Sequence, residues 1–191
     1  MKKQLCAPSV TSHRRAADGV FPFVRTNFDL KNVSIEAAVP RNSRTLLKFM
    51  KAYYRFEGIS FDRREVASGL SLLLKDPAIG GAWLILNRGK PVGYLILTFG
   101  FDLEFGGPLA GLTDLYIEAR HRRKGIGRTA LAEVEEVCRS CGVKAIELQV
   151  TRKNASVVDF YRAIGFQAFD RVPMRKRITV AGLRRGQNQT R

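Results

Sequence analysis

The sequence is short of the residues on which metal and disulfide chemistry depend. It has three cysteines and two histidines, too few for a disulfide framework. Cys6, His13 and His121 are too scattered to complete a zinc site. The one CxxC, Cys138-Arg139-Ser140-Cys141, falls at the C-terminal end of a helical pattern, whereas a redox CxxC gains its low thiol pKa at a helix N-terminus. Cys138 is therefore read as core packing, Cys141 as incidental, and no metal is expected. No Cys or Ser stands in a nucleophile arrangement, which argues against a covalent enzyme intermediate in any group transfer. No apolar run approaches the roughly 20 residues that span a bilayer. The stretch 5–10 after Lys2-Lys3 is too short and broken for a signal h-region. Arg14 and Arg15 among few acids would suit a transit peptide, but no amphipathic pattern accompanies them, and a cytoplasmic location is the expectation.

Acidic residues are also scarce, with 17 Asp/Glu against 33 Lys/Arg and a net charge of +16. The excess sits at the ends. Residues 1–41 carry seven basic residues against three acids, and residues 171–191 carry seven (Arg171, Arg175, Lys176, Arg177, Arg184, Arg185, Arg191) against none. Such a tail could touch nucleic acid or an acidic partner. Residues 186–190 hold no core-forming side chain, and a solvated tail is the plainer reading. The expected organisation is a flexible arm over 1–32, broken by Pro8, Gly19 and Pro22, one domain over 33–180, and a disordered basic tail over 181–191. An apolar fraction of 45% with 26% charged residues is that of an ordinary globular protein, and 191 residues can bury a substantial core.

What is present is a clear succession of periodic segments. Residues 33–39 alternate as a first strand ended by Pro40. Asn42 or Ser43 caps a helix through Leu46, Leu47, Phe49, Met50, Tyr53, Tyr54 and Phe56, stopped at Glu57-Gly58. Asp62 caps a second helix with Val66, Leu70, Leu73 and Leu74 on one face, ended by Asp76-Pro77. Strands over 82–86 and 92–98 flank the turn Asn87-Arg88-Gly89-Lys90. Gly106-Gly107-Pro108 marks a loop, a strand over 112–117 follows, and a helix runs to about Cys141 with Gly142 as its stop. A strand over 144–150, a helix from Asn154 to Gly165 and two last strands, Phe166–Phe169 and Met174–Val180, complete the order β-α-α-β-β-β-α-β-α-β-β. By itself that order says a mixed α/β sheet domain.

The chain is organised around the step from strand 112–117 into the following helix. Between them lies a basic turn, Arg120-His121-Arg122-Arg123-Lys124, and then Gly125-Ile126-Gly127-Arg128. Two glycines let a backbone approach a ligand closely, and the first helical turn offers unpaired N–H groups at its positive dipole end. With Arg122, Arg123, Lys124 and Arg128 this reads as a site for a phosphorylated ligand. Two ligand classes fit. Gly125-x-Gly127-x-x-Ala130, with Glu147 downstream, has the form of the dinucleotide fingerprint. That fingerprint, however, places its glycines directly at the strand end, and here a charged run intervenes.

The other reading rests on Arg122-x-x-Gly125-x-Gly127, which resembles the acetyl-coenzyme A pyrophosphate loop of the GNAT superfamily of N-acetyltransferases. Downstream, Asn154-Ala155-Ser156-x-x-x-Phe160-Tyr161-x-x-x-Gly165-Phe166 resembles the second signature of that family. The similarity spans residues 33 to 180, and the tract from Asp114 to Tyr161 looks closest to the diamine and polyamine acetyltransferase branch. The resemblance implies a GNAT-like α/β fold with a mostly antiparallel central sheet, acetyl-coenzyme A as co-substrate, and direct acetyl transfer to an amine. It also implies a homodimer, which the two apolar C-terminal strands could mediate.

Acetyl transfer to an amine sets three physical requirements. The ammonium must lose a proton before attack, since such groups have a reference pKa of about 10.4. An oxyanion needs preorganised donors, and the departing thiolate needs a proton. By resemblance Tyr161 supplies that last proton, and a phenol with a reference pKa near 10 suits the task. A core aromatic is its plainer alternative. Asn154 would bond the cofactor, although a simple helix cap would look the same. Backbone groups near Leu115, Tyr116 and Ile117 would hold the thioester carbonyl and pantetheine, and Ile126 and Gly127 would lie under the pyrophosphate. Where the diamine branch has a Glu-Asp pair this chain has Thr113-Asp114, so Asp114 is the surviving carboxylate for the amine proton, with Glu104, Glu118 or water as substitutes. Tyr53, Tyr54, Phe56 and Glu57 resemble the segment that polyamine acetylases use near the amine. An aromatic and carboxylate pair suits a cation, though aromatics at helical spacing also suit a core. The expected acceptor is a small primary amine, with a diamine or polyamine as the leading candidate and an amino acid, an aminoglycoside-like antibiotic, or a peptide or protein amine as the competing acceptors. A non-catalytic or nucleic-acid-binding protein on the same fold is the rival of a different class.

Overall fold

A computed structural model describes residues 32–151, 154–176 and 178. The expected arm, bar Asn32, and the 181–191 tail lie outside them. The chain divides into two compact units, Met1–Thr151 and Arg152–Arg191.

The first unit runs β1 (Val33–Ala37), a 3-10 turn at Pro40–Asn42, α1 (Ser43–Glu57), α2 (Arg63–Lys75), β2 (Gly80–Asn87), β3 (Lys90–Asp102), β4 (Gly107–Ile117), a 3-10 turn at Ala119–His121, α3 (Ile126–Ser140) and β5 (Ala145–Leu148). The sheet order is β1-β2-β3-β4-β5. Every neighbouring pair is antiparallel except β4 and β5. This is the mixed α/β fold expected, and four antiparallel strands exclude the doubly wound sheet of a dinucleotide-binding fold. Glu147 accordingly sits exposed in a short strand.

The period-2 alternation of β2 and β3 divides their side chains between two faces. Ala82, Leu84, Tyr94 and Ile96 pack with Leu46, Leu47, Phe49 and Met50 of α1 and with Leu70 of α2 in one buried cluster. The alternate residues Trp83, Ile85, Leu95 and Leu97 are buried as well. Helix α3 packs against β1 and β4, burying Ala130, Leu131, Val134, Val137 and Cys138. Its Glu133, buried, accepts a hydrogen bond from the Ile35 N–H at 3.0 Å, which ties the helix to β1. Asp62 caps α2 as its sequence position demands, accepting from the N–H groups of Arg64 and Glu65 at 2.8 and 3.1 Å.

The β3–β4 hairpin is longer than the sequence pattern predicts. Gly107 and Pro108, read as loop, pair with Asp102 and Phe101. A Cβ at Gly107 would lie 2.7 Å from the Lys144 side chain, so the strand passes close under that lysine. The second unit holds α4 (Ala155–Arg162). The two closing strands expected after it are not found among the described residues. Pro173 has no N–H to give to a ladder, Asp170, Arg171, Arg175 and Lys176 interrupt the apolar pattern, and Phe169, Val172, Met174 and Ile178 are exposed.

Candidate active site

The strand that carries the chemistry is β4, and one extra residue sets its geometry. Leu112 lies opposite Leu97 and Asp114 opposite Ile96, so Thr113 is inserted as a bulge. Without it Asp114 would face Leu95 and project from the other side of the sheet. The bulge therefore turns Asp114 and Tyr116 onto the face that α1 and α2 cover. Pairing with β5 ends at Leu112 opposite Leu148, while β4 continues to Ile117. From Thr113 to Ile117, which includes Leu115, Tyr116 and Ile117, β4 has a strand partner among the described residues on the β3 side alone.

Asp114 stands in a cluster of aromatic rings. The Tyr94 hydroxyl donates to Asp114 Oδ2 at 2.8 Å. The Tyr94 ring is parallel to Phe49 with centroids 6.5 Å apart, meets the edge of Tyr53 at 6.4 Å, and lies 6.2 Å from Tyr116. Tyr54 packs edge-on against Tyr53 and Phe61. Burial raises the Asp114 pKa above the ordinary carboxylate range, and the Tyr94 bond partly opposes that shift. The Tyr94 phenol is pushed far upward, first by burial and then by the Asp114 charge and hydrogen bond, and remains a donor at every accessible pH. Tyr54 is raised by burial and by the charge of Asp114, which places its ring in the field of that carboxylate. Glu57, the last residue of α1, is half-buried.

The substitutes for Asp114 are placed elsewhere. Glu104 is exposed in the turn beyond β3. Asp102 alone is six residues along β3 from Ile96, or roughly 20 Å from the level of Asp114 at strand rise. Glu118 is engaged by Arg120, which donates to its Oε2 through Nε and Nη2 at 3.1 and 2.8 Å.

At the end of β4 the chain enters the basic turn. Arg123 and Gly125 both have positive φ, 60° and 78°, the backbone alternation that makes an anion-binding concavity. A Cβ on Gly125 would meet no protein atom within 4 Å, so the space before it is open. Helix α3 starts at Ile126 with no side-chain cap, which leaves the N–H groups of its first turn, Gly127 and Arg128 included, available to a ligand. Arg123, Lys124 and Arg128 are exposed around it. Arg122 is anchored within the protein. Its Nε donates to the Ile117 carbonyl at 2.7 Å, and its guanidinium lies over the rings of Phe56 at 4.5 Å and Tyr116 at 5.5 Å. It braces the loop against α1 and β4. These features fit a pyrophosphate: an open concavity, uncapped N–H groups and flanking cations.

In the second unit, Asn154 precedes α4, and its side chain makes no cap bond to the helix backbone. Its Oδ1 accepts from the Ser156 hydroxyl at 3.3 Å. Tyr161 is half-buried against Phe160 and Phe166, and burial pushes its phenol up to about 12.

Two negative expectations concern cysteine and membranes. Cys138 and Cys141 are both buried and free, and burial pushes the Cys138 thiol up to about 12, the opposite of an activated thiolate. No described helix is long and apolar enough to cross a membrane. The residue sequence reasoning missed is Tyr94. Its signal was a phenol inside an otherwise apolar strand, since a buried Tyr hydroxyl needs a partner.

Known proteins resemble the chain throughout this region. Residues 46–166 match the model of the acetyltransferase (GNAT) family. A thialysine N-epsilon-acetyltransferase of Caenorhabditis elegans is 23% identical over 137 residues, 72% of this chain and 84% of the relative. An integron cassette protein from the mobile metagenome of Cole Harbour Salt Marsh superposes with a TM-score of 0.68 at 26% identity, covering 76% of this chain and 91% of the other. An aminoglycoside N-acetyltransferase solved with CoA shares the fold, with a TM-score of 0.65 at 14% identity over 76% and 94% of the two chains.

Proposed function

The chain belongs to the acetyltransferase (GNAT) family, and from that premise we propose that it transfers acetyl directly from acetyl-coenzyme A to a primary amine of a small cationic molecule, a diamine or polyamine first among the candidates. The observation that carries this reading is the Asp114 carboxylate held among aromatic rings beside the opened stretch of β4. Charge and ring faces together suit an ammonium group. The similarity to a relative named for acetylating the ε-nitrogen of thialysine also favours a small amine over a protein.

Acetyl-coenzyme A supplies the acyl group and the thiol that leaves. The concavity at Arg123 and Gly125 and the first turn of α3 hold its pyrophosphate, with Lys124 and Arg128 adding charge. Arg122 fixes the loop through the Ile117 carbonyl. Backbone groups of Leu115, Tyr116 and Ile117 orient the pantetheine side, and Asn154 adds a polar contact. On the acceptor side, Asp114 attracts the ammonium and takes its proton, directly or through water. The upward shift imposed by burial makes it a stronger base than an ordinary carboxylate. Tyr54 and Glu57 line the acceptor. Tyr161, protonated at neutral pH with a pKa of about 12, donates to the departing thiolate. The net charge of +16 repels polycations at long range, but screening over about 8 Å in physiological salt leaves the field near Asp114 in control.

The test is thiol release from acetyl-coenzyme A across diamines, polyamines, amino acids, aminoglycosides and peptides. Spermidine is expected to give the highest kcat/KM. Equal, feeble turnover of every class would refute the polyamine assignment, and a preference for peptides would replace it with a protein or peptide acceptor.

A further inference from the structure

Tyr94 lies on the strand next to β4, and three features set it apart from a packing aromatic. Its side chain is fully buried. Its ring is fixed on two sides, parallel to Phe49 and edge-on to Tyr53. Its hydroxyl, the one polar atom the side chain has, reaches Asp114 Oδ2 at 2.8 Å. The bulge at Thr113 makes the contact achievable. Tyr94 lies opposite Tyr116 and Ile96 opposite Asp114, so Tyr94 and Asp114 are diagonal neighbours on one face. A straight β4 would send the carboxylate to the other side.

We propose that Tyr94 is a positioning residue of the transfer reaction: by holding Asp114 Oδ2 it fixes the carboxylate plane and reserves Oδ1 for the acceptor ammonium. This rests on the reading of Asp114 as the acceptor's carboxylate. Among the described residues the hydrogen bond to the Asp114 carboxylate falls on Oδ2, from Tyr94. Tyr94 from β3 bonds Asp114 and Tyr54 from α1 lies in its field, while Tyr53 from α1 and Tyr116 from β4 pack on the Tyr94 ring, with the Arg122 guanidinium on the Tyr116 ring. Of these, Tyr94 supplies the hydrogen bond that favours the ionised carboxylate. A hydroxyl donating to an anion stabilises the charged form, so Tyr94 keeps Asp114 deprotonated at pH values where burial alone would protonate it.

The experiment compares pH profiles of kcat/KM for the best amine in wild type, Tyr94→Phe, Asp114→Asn and the double variant. Loss of one hydrogen bond to a charged group predicts that Tyr94→Phe is about tenfold less active on the acid side and within about twofold at the alkaline plateau. Its acid limb moves to higher pH. In the Asp114→Asn background the same change has no further effect. Titration of the Asp114 carboxyl carbon by NMR reads the same shift independently of turnover. A Tyr94→Phe profile superimposable on wild type, with Asp114→Asn inactive, overturns the positioning role alone. A fully active Asp114→Asn overturns the reading of Asp114 and this role with it. A loss in Tyr94→Phe that is equal at every pH assigns Tyr94 to packing and overturns the proposal.

Discussion

Replacing Gly125 with leucine separates what the loop backbone costs the protein from what it gives the ligand. Gly125 has φ 78°, and a Cβ there meets nothing within 4 Å. The cost to the free protein is therefore conformational, about 1–2 kcal/mol for an L-residue in the left-handed region. For a chain of 191 residues this lowers Tm by on the order of 2–8 °C. Ligand binding should suffer far more, because the new side chain fills the open space where the pyrophosphate approaches the helix N-terminus. Losing two charge-assisted hydrogen bonds at about 1.5 kcal/mol each weakens coenzyme A binding by roughly a hundredfold. Gly142 provides the control. Its φ is 74° and its surroundings are equally open, but it ends α3, whose 15 residues span about 22 Å. Gly142→Leu should reproduce the loss in Tm and leave coenzyme A affinity unchanged. Calorimetric titration with coenzyme A and thermal melts of both variants make the comparison. Wild-type affinity in Gly125→Leu, or an equal loss in Gly142→Leu, would refute the assignment of the concavity to the pyrophosphate.

Other outcomes follow from single contacts. Asp62→Ala removes the cap of α2 and should cost about 1 kcal/mol, seen as a Tm roughly 2–4 °C lower with catalysis intact. Asp114→Asn should be more thermostable than wild type at pH 7. The folded-state pKa of Asp114 is raised, so between its unfolded and folded values the native state binds more protons, and stability is lost as pH rises through that range. The difference should narrow as pH falls. Tyr161→Phe should lower kcat by about 100-fold or more without changing coenzyme A affinity, as loss of a general acid does. Equal losses in kcat and affinity would instead mark Tyr161 as a ligand contact.

The sequence made some of this legible because certain residues have few structural alternatives. Gly125 and Gly127 beside four cations announced an anion site, and Asp62 before an apolar helix announced its cap. The alternation over 112–117 located β4, but periodicity does not show an inserted residue, so the bulge at Thr113 and the side Asp114 faces came only with the register. Tyr94 was hidden for a related reason. In a strand buried on both faces every residue reads as core, and a single hydroxyl leaves the hydropathy pattern almost unchanged. Arg122 shows the converse. Its place in the motif pointed to the ligand, while the Ile117 carbonyl and the Phe56 ring, neither paired to it by any sequence spacing, take its side chain. The closing strands are not seen among the described residues, where proline and charge interrupt the short apolar alternation that would specify their pairing.

The central claim is that Asp114 receives the acceptor amine in an acetyl-coenzyme A-dependent transfer. It is tested most directly by the kcat/KM of Asp114→Asn for the preferred amine, alongside its affinity for coenzyme A. The predicted result is a fall of about 100-fold or more in kcat/KM with coenzyme A affinity within about twofold of wild type. Turnover at the wild-type rate in Asp114→Asn would contradict it.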